Sequence, residues 1–495
     1  MQSQNSDHRD LARLLAGLET LHVEGPAAGA VRRLAYDSRQ ILAASLFVAI
    51  PGERLDGRRF VPEAIREGAV AVVYQAADRE IARSLAAGWR EAAAAGADRL
   101  TFVAVKDARR ALAHLAVRFF DRPPDEPQLW VVSGPAGTRT LAAMLHAALG
   151  QLGIRAGLVD GMRLMIGGET RYATRNHPEA PEIEAILSSF RDAGARRAVL
   201  SFAPGDLAHA RAAGLVPEAT LLTGPVAAAA ELAAAGDWVQ TAVSHTHVTA
   251  AGRVAAELRA ADLELLRVDG RPGTGFACTI DGCSQRLELG LPTRFMVANC
   301  LQLLLVFRLA GLPTRPLLPW LRTLTLPGHL EMVPNDLGCD LYIDHAWTAA
   351  ELETLLVELR PHCRGRLVVV AGAGGDRSAR PRRLLGRTAA RLADVAVLTS
   401  SNPRSEGADA IVRDLLAQTG GGRATVLGIA DRVEAIRCAV GLLEPGDLLL
   451  LAGKGDESFR MHATATEAYS DRAVLETALA RRSAGAQADG ERGCR

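Results

Sequence analysis

Short apolar runs separated by polar turns fill the first part of the chain. Between positions 31 and 75, LFVAI, PGERLDG, FVPEAIREGA and VAVVYQ read as strand, turn, helix and strand. From Asp107 to Phe120 the apolar residues Leu112, Leu115 and Phe119 recur at helical spacing. DRPPDEP then breaks the pattern, and its prolines place a boundary near Glu126. LWVVSG, a glycine-containing turn and TLAAMLHAALGQLG follow, the strand, loop and helix that open a nucleotide-binding α/β domain. ARRAVLSFA (195–203) and ATLLT (219–223) predict strands, and VAAAAELAAAG (226–236) predicts an alanine-rich helix. Positions 276–290 predict short strands about an Asp-Gly turn, and 295–311 a buried helix. Pro327-Gly328 marks a second boundary. Beyond it, LYIDHA is followed by RLVVVAGAGGDR, VAVLTSSNPR and DLLLLAGKGDE, each of the last three a strand ending in a Gly- or Pro-containing loop, with helices between. That alternation predicts a parallel sheet with ligand groups at the carboxyl ends of its strands.

The pattern gives an α/β fold of three domains, 1–126, 127–328 and 329–482, with a small, polar, disordered tail at 483–495. A net charge of +1 over 495 residues argues against a nucleic-acid partner. No apolar run reaches the roughly 18 residues of a membrane span, and the polar N-terminus does not read as a signal peptide. A cytoplasmic protein without membrane contact is expected. Seven scattered cysteines, none in a CxxC pair, read as reduced thiols rather than a metal or disulfide framework. Lys106 and Lys454 are the only two lysines among 57 Lys and Arg residues. Codon bias towards arginine accounts for the scarcity, but arginine cannot take over every lysine's chemistry.

Four blocks, in order, carry a resemblance over nearly the whole chain. YDSRQILAASLFVAIPGERLDGRRFVPEAIREGAVAVV, LPTRFMVANCLQ, LPGHLEMV with LYIDHAWTAAELE, and GAGGDR, SNPRSE and AGKGDE are similar to the corresponding blocks of Mur ligases, most of all the MurE type. The resemblance implies a UDP-binding N-terminal domain, a P-loop-like central domain and a Rossmann-like C-terminal domain that holds an amino acid. In that family ATP and Mg²⁺ phosphorylate the carboxylate of a UDP-MurNAc-peptide, and an amino acid's amine attacks the acyl phosphate. The MurE type adds diaminopimelate or lysine.

The chain departs from the family at the phosphates. VSGPAGTRT stands where the family has GTNGKTT. Gly134 and Gly137 persist, Thr138 takes the lysine position, and Arg139 takes that of the Mg²⁺-binding threonine. Phosphoryl transfer depends on positioning and charge neutralisation, which these replacements remove unless Arg139 stands in for the lysine. The family's metal-holding glutamate is Ser201; Ala203, Pro204 and Gly205 replace the serines and histidine that follow, while Arg211 is retained. The family's DHLD segment is missing, and no lysine occurs in 107–453 to form its carbamate. The PGRME arginine is His329, and the DYAH pair is His345 and Trp347. Asn299 and Asp344 match adenosine-contacting positions and read equally as core or capping groups.

The C-terminal site is kept. The resemblance places amino-acid contacts on Arg377, Asn402, Arg404, Gly453 and Glu457. A paired arginine suits a carboxylate and a glutamate suits a far ammonium; the other reading is that these loops, with Gly374, Gly375 and Pro403, persist as turns. For the UDP-sugar, Ser38 matches a uracil-contacting position and Arg211 is kept, but the family's TTP is Asn176, His177 and Pro178. No residue is assigned a catalytic role, and no metal or cofactor is expected. Three functions stand open: an inactive MurE-like protein of precursor metabolism that senses a diaminopimelate-like amino acid or UDP-MurNAc-peptide or binds a partner; a working ATP-dependent amide ligase with a rebuilt phosphate site; and a scaffold for an active Mur ligase or another cell-wall protein. Association through the central domain, with its altered loop and alanine-rich helix, is the mode of action expected of the first.

Overall fold

The computed structural model describes residues 8–52, 56–93, 99–123, 126–134, 137–161, 163–172, 178–203, 211–223, 248–250, 253–254, 260–280 and 283–492. They form two compact units, Met1–Ala255 and Ala256–Arg495.

The first unit holds two sheets. One has the strand order His22–Glu24, Thr101–Val105, Ala69–Gln75, Ser45–Ala49, Arg33–Ala35, parallel except for its first member. Every residue of Ser45–Ala49 and Thr101–Val105 is buried, because helices cover both faces of a parallel sheet and leave no polar side to its central strands. The predicted helix after Asp107 is Ala108–Phe120, started by the Asp107 carboxylate accepting from the amides of Arg109 and Arg110.

The other sheet runs Glu169–Tyr172, Arg163–Ile166, Ala156–Asp160, Arg197–Phe202, Gln128–Ser133, Pro217–Leu222, Val248–Ala250, Arg253–Val254. Its four strands from Ala156–Asp160 to Pro217–Leu222 are parallel. The LWVVSG strand and the following helix appear as Gln128–Ser133 and Thr138–Gln151. Sequence reading missed Ala156–Asp160 and the hairpin after it. The alanine-rich segment 226–236 lies outside the described residues.

The second unit opens with an antiparallel sheet of Ala260–Val268, Arg271–Ile280 and Cys283–Leu289, longer than the short strands expected. Asp281 and Gly282, the expected turn, lie outside the described residues. The buried helix is Arg294–Leu309. A six-stranded sheet follows, ordered Glu331–Met332, Asp340–Asp344, Leu448–Ala452, Leu367–Ala373, Val395–Ser400, Thr425–Gly428 and parallel except for its first strand.

The last helix runs Asp471–Arg492, reaching into the segment expected as a tail, in keeping with the helix propensity of its alanines and glutamine. Positions 126 and 328 each lie within one of the two units. In the first unit, side-chain bonds cross position 126. Arg122 and Glu184, both buried, pair at 2.9 Å. Tyr36 donates to Glu182 at 2.8 Å, and Arg109 pairs with Glu179 at 2.6 Å. These bonds tie the helix Ala180–Asp192 and its N-cap Glu179 to Tyr36, Arg109 and Arg122, on the other side of position 126. Arg267 and Asp340 likewise join the two sheets of the second unit, at 3.3 Å.

Candidate functional site

In the second unit the strands Leu448–Ala452, Leu367–Ala373 and Val395–Ser400 are neighbours and parallel, so their carboxyl ends bring three loops together. The loops deliver Lys454 and Glu457, Arg377, and Asn402 and Arg404. Glycines allow the close approach. A Cβ on Gly375 would lie 1.8 Å from the Pro403 carbonyl, which presses the Arg377 and Arg404 loops against each other. Gly453 has φ +107°, and a Cβ there would crowd the Gly372 carbonyl at 2.9 Å.

Lys454 organises this edge, and sequence reading did not place it in the site. Its side chain is wholly buried. Its Nζ donates to Glu457 Oε2 at 2.8 Å, to the Phe459 carbonyl at 2.8 Å and to Asn402 Oδ1 at 3.1 Å. Desolvation pulls its pKa down against the opposing charge of Glu457. Asn402 Oδ1 also accepts from the Met461 amide at 3.1 Å, and its Nδ2 donates to Glu457 Oε2 at 3.1 Å. The available signal was chemical: one of only two lysines lies between two residues already singled out. Arg377 lies 4.3 Å over the half-exposed indole of Trp347. Arg404 has φ +54° and its amide donates to the Met461 carbonyl at 2.9 Å.

Asp344 and Asn299 sit in the same unit. Asp344 is buried and spans two backbone turns, accepting from the Leu330 and Ala346 amides at 2.8 Å each. Asn299 is buried in its helix with Nδ2 3.6 Å from the Met296 sulfur. His329 and His345 are buried with ring centres 5.0 Å apart, and His345 Nε2 meets Asp456 Oδ1 at 2.6 Å.

The phosphate-loop remnant lies in the first unit. Gly134 ends its strand at φ +146°, where a Cβ would collide with the Thr223 carbonyl at 2.2 Å. Gly137 at φ +76° precedes the helix that Thr138 and Arg139 begin. Arg139 turns away to an internal partner, its Nε donating to Asp160 Oδ1 at 2.7 Å. Arg163, also buried, donates to Asp160 Oδ2 at 2.8 Å. Asp160 is wholly buried and stands in register beside Ser201 on the neighbouring strand.

The groups expected on the UDP-sugar side lie apart in sequence and in bonding. Ser38 begins a single 3-10 turn capped by Asp37 at the end of Arg33–Ala35. A cleft of about 380 Å³, lined by Pro51, Arg58, Gln75, Ala76, Ala77 and Lys106, opens at the carboxyl ends of the adjacent strands. Arg211 donates to Glu179 at 3.3 Å. Pro178 is described, whereas Asn176, His177, Pro204 and Gly205 lie outside the described residues.

Known proteins match along most of the chain. The glutamate ligase domain of Mur ligases matches residues 328–455, and the Mur ligase family catalytic domain matches residues 30–120. A UDP-N-acetylmuramoyl-L-alanyl-D-glutamate--2,6-diaminopimelate ligase of Chlorobaculum tepidum is 31% identical, covering 95% of this chain and 97% of its own. The chain belongs to the Mur ligase family. A Rhizobium meliloti protein of the same name is 29% identical, covering 90% of this chain and 93% of its own. A solved structure of a ligase of that name, 20% identical, covers 96% of this chain and 99% of its own with a TM-score of 0.57, a likeness of fold.

Around the phosphate loop Thr138 carries no charge, Arg139 brings a guanidinium, and the carboxylate beside Ser201 has each oxygen bonded to an arginine. Among the described residues no group of three or more His, Cys, Asp or Glu is arranged to hold a metal. Nor is any described helix long and apolar enough to cross a membrane.

The two arginines should differ in weight. The Arg163 side chain is 4% exposed and that of Arg139 26%. Arg163→Ala takes the more buried of the two arginines from wholly buried Asp160 and is expected to cost about 3–5 kcal/mol. Arg139→Ala is expected to cost well under half of that. Urea denaturation of the two variants checks the order, and equal losses would show that the pairings are not ranked by burial.

Proposed function

We propose that this chain is a MurE-like member of peptidoglycan precursor metabolism that does not turn over ATP and acts by sensing a ligand or binding a partner. The reading rests on one observation above all. Arg139, at the position of the family's metal-binding threonine, spends its Nε on buried Asp160. The phosphate loop has thereby acquired an internal salt bridge in place of a nucleotide-facing cation and metal ligand. The named relatives supply the metabolic setting, and the intact carboxyl-edge cluster around Arg377 and Arg404 supports retained recognition of a small molecule. Titration calorimetry of the full chain with Mg·ATP tests the reading. Heat consistent with binding weaker than millimolar, or none, is expected; micromolar affinity would overturn it.

A further inference from the structure

We propose that the solvent face of the helix Ala379–Leu392 docks an acidic amphipathic helix of a partner protein, whose carboxylates meet Arg380, Arg383, Arg387 and Arg391. The inference gives a chemical class to the partner in the partner-binding part of the reading above, and it stands on this helix whether or not ATP is bound.

The charge pattern of the helix carries it. ARPRRLLGRTAARL holds five arginines and no acid. Arg382 turns inward, is buried, and pairs with Glu406 at 2.7 Å and Asp414 at 3.0 Å. The other four recur at 380, 383, 387 and 391, and all are exposed. With Leu384, 40% exposed, they share an arc of about 100° and run about 16 Å along the helix.

Such a row is unfavourable by itself. Each arginine has another three or four residues away, and like charges at those intervals repel. Arg380 lies in the first turn, where the helix's free amides favour an acid over a cation. Neighbouring helices relieve the row only at its edges. Glu353, on the helix Ala349–Leu359, pairs with Arg391 at 2.6 Å. Asp414, on the helix Ala408–Leu416, stands 3.9 Å from Arg383 and is held closer by Arg382. Arg380 and Arg387 have no acid within ion-pair distance among the described residues. A local rule broken without internal compensation marks a face kept for something other than stability.

The uncompensated charge calls for anions at helical intervals. Carboxylates three and four residues apart on a second helix lie about 5–6 Å from one another, as these guanidiniums do, and each pair can close with two parallel bonds. Leu384 adds one apolar contact inside a rim of arginines, in keeping with a protein interface. A lipid surface is a poorer match, since it takes up bulky apolar groups, and Leu384 is the only large apolar residue that this helix exposes. A single-stranded nucleic acid stacks its bases on aromatic side chains, and this helix has none.

Fluorescence anisotropy tests the proposal, with the full chain titrated into a dye-labelled, alanine-based helical peptide. The peptide carries glutamates at the same three- and four-residue intervals and one leucine among them. Saturable binding that weakens as salt is raised is expected. R380E/R387E should weaken it roughly 10- to 100-fold, the range for hydrogen bonds to charged groups. The same variant should melt no lower than the unaltered protein, because its acids relieve the repulsion and suit the first turn. A clearly lower melting temperature would show that the row serves the fold and would overturn the argument. A peptide of equal composition with its glutamates spread around the helix should bind several-fold more weakly, and equal binding would sink the face-to-face geometry. Tighter binding of phosphatidylglycerol vesicles or oligouridylate than of the peptide, or self-association in sedimentation that R380E/R387E abolishes, would give the face to another occupant. Silence toward the peptide would also overturn the proposal. None of these outcomes bears on the Mg·ATP titration, so the two readings fail separately.

Discussion

The double variant T138K/R139T is expected to release phosphate no faster than the unaltered protein when given ATP, Mg²⁺, a UDP-MurNAc-dipeptide and diaminopimelate. It restores the family's lysine and threonine at the start of the helix Thr138–Gln151. It does not restore a metal carboxylate at Ser201, and residues 107–453 hold no lysine for a carbamate. Loss of one well-placed electrostatic group costs a factor on the order of 10²–10³ in rate, so two uncorrected losses keep the variant near background. The substitution also strips Asp160 of its Nε partner, and a lower melting temperature should accompany the absent activity. Sustained phosphate release dependent on both substrates would show that other residues compensate.

Asp471→Ala is expected to give a large loss of stability. Asp471 and Arg432 are each 0% exposed, and they meet through two bonds, at 2.8 and 2.5 Å. Arg432 also donates to the Ala452 carbonyl at 3.1 Å, and Tyr469 donates to Asp471 at 2.8 Å. Truncating the acid leaves a guanidinium buried without its counterion, a change worth about 3–5 kcal/mol. Replacing both partners at once, as in Arg432→Met with Asp471→Leu, should cost much less, because no charge is left stranded. Chemical denaturation of the single and double variants separates the two cases; a single-variant loss below about 1 kcal/mol would refute the argument. Since Ala452 immediately precedes Gly453 and Lys454, the same pair also anchors the loop that carries Glu457.

The convergence of the C-terminal loops was legible because three apolar runs each end in a Gly- or Pro-containing loop, and parallel strands must present those ends on one edge. What each side chain does there was not. Arg139 could be read as a candidate cation, but its partner Asp160 ends a strand that the pattern did not reveal, GLVD being too short and glycine-broken to stand out. Lys454 was visible as a rarity but not as the group that neutralises Glu457, since that depends on a buried rotamer rather than on spacing. Asp344 matched a ligand position, and its two oxygens turn out to accept from the Leu330 and Ala346 amides. The strand Ala260–Val268 was missed for a different reason: Asp262 at φ +51° and a register shift interrupt its alternation.

The scarcity of lysine gives the folded chain an uneven chemical face. Lys106 is exposed at the end of Thr101–Val105, whereas Lys454 has no surface in solvent. An amine-directed dye or crosslinker therefore has Lys106 as its one accessible lysine in the native state, and tags the first unit while sparing the cluster in the second. Modification of Lys454 has to wait for its loop to open, so the rate at which label accumulates there is a clock for local unfolding of the second unit.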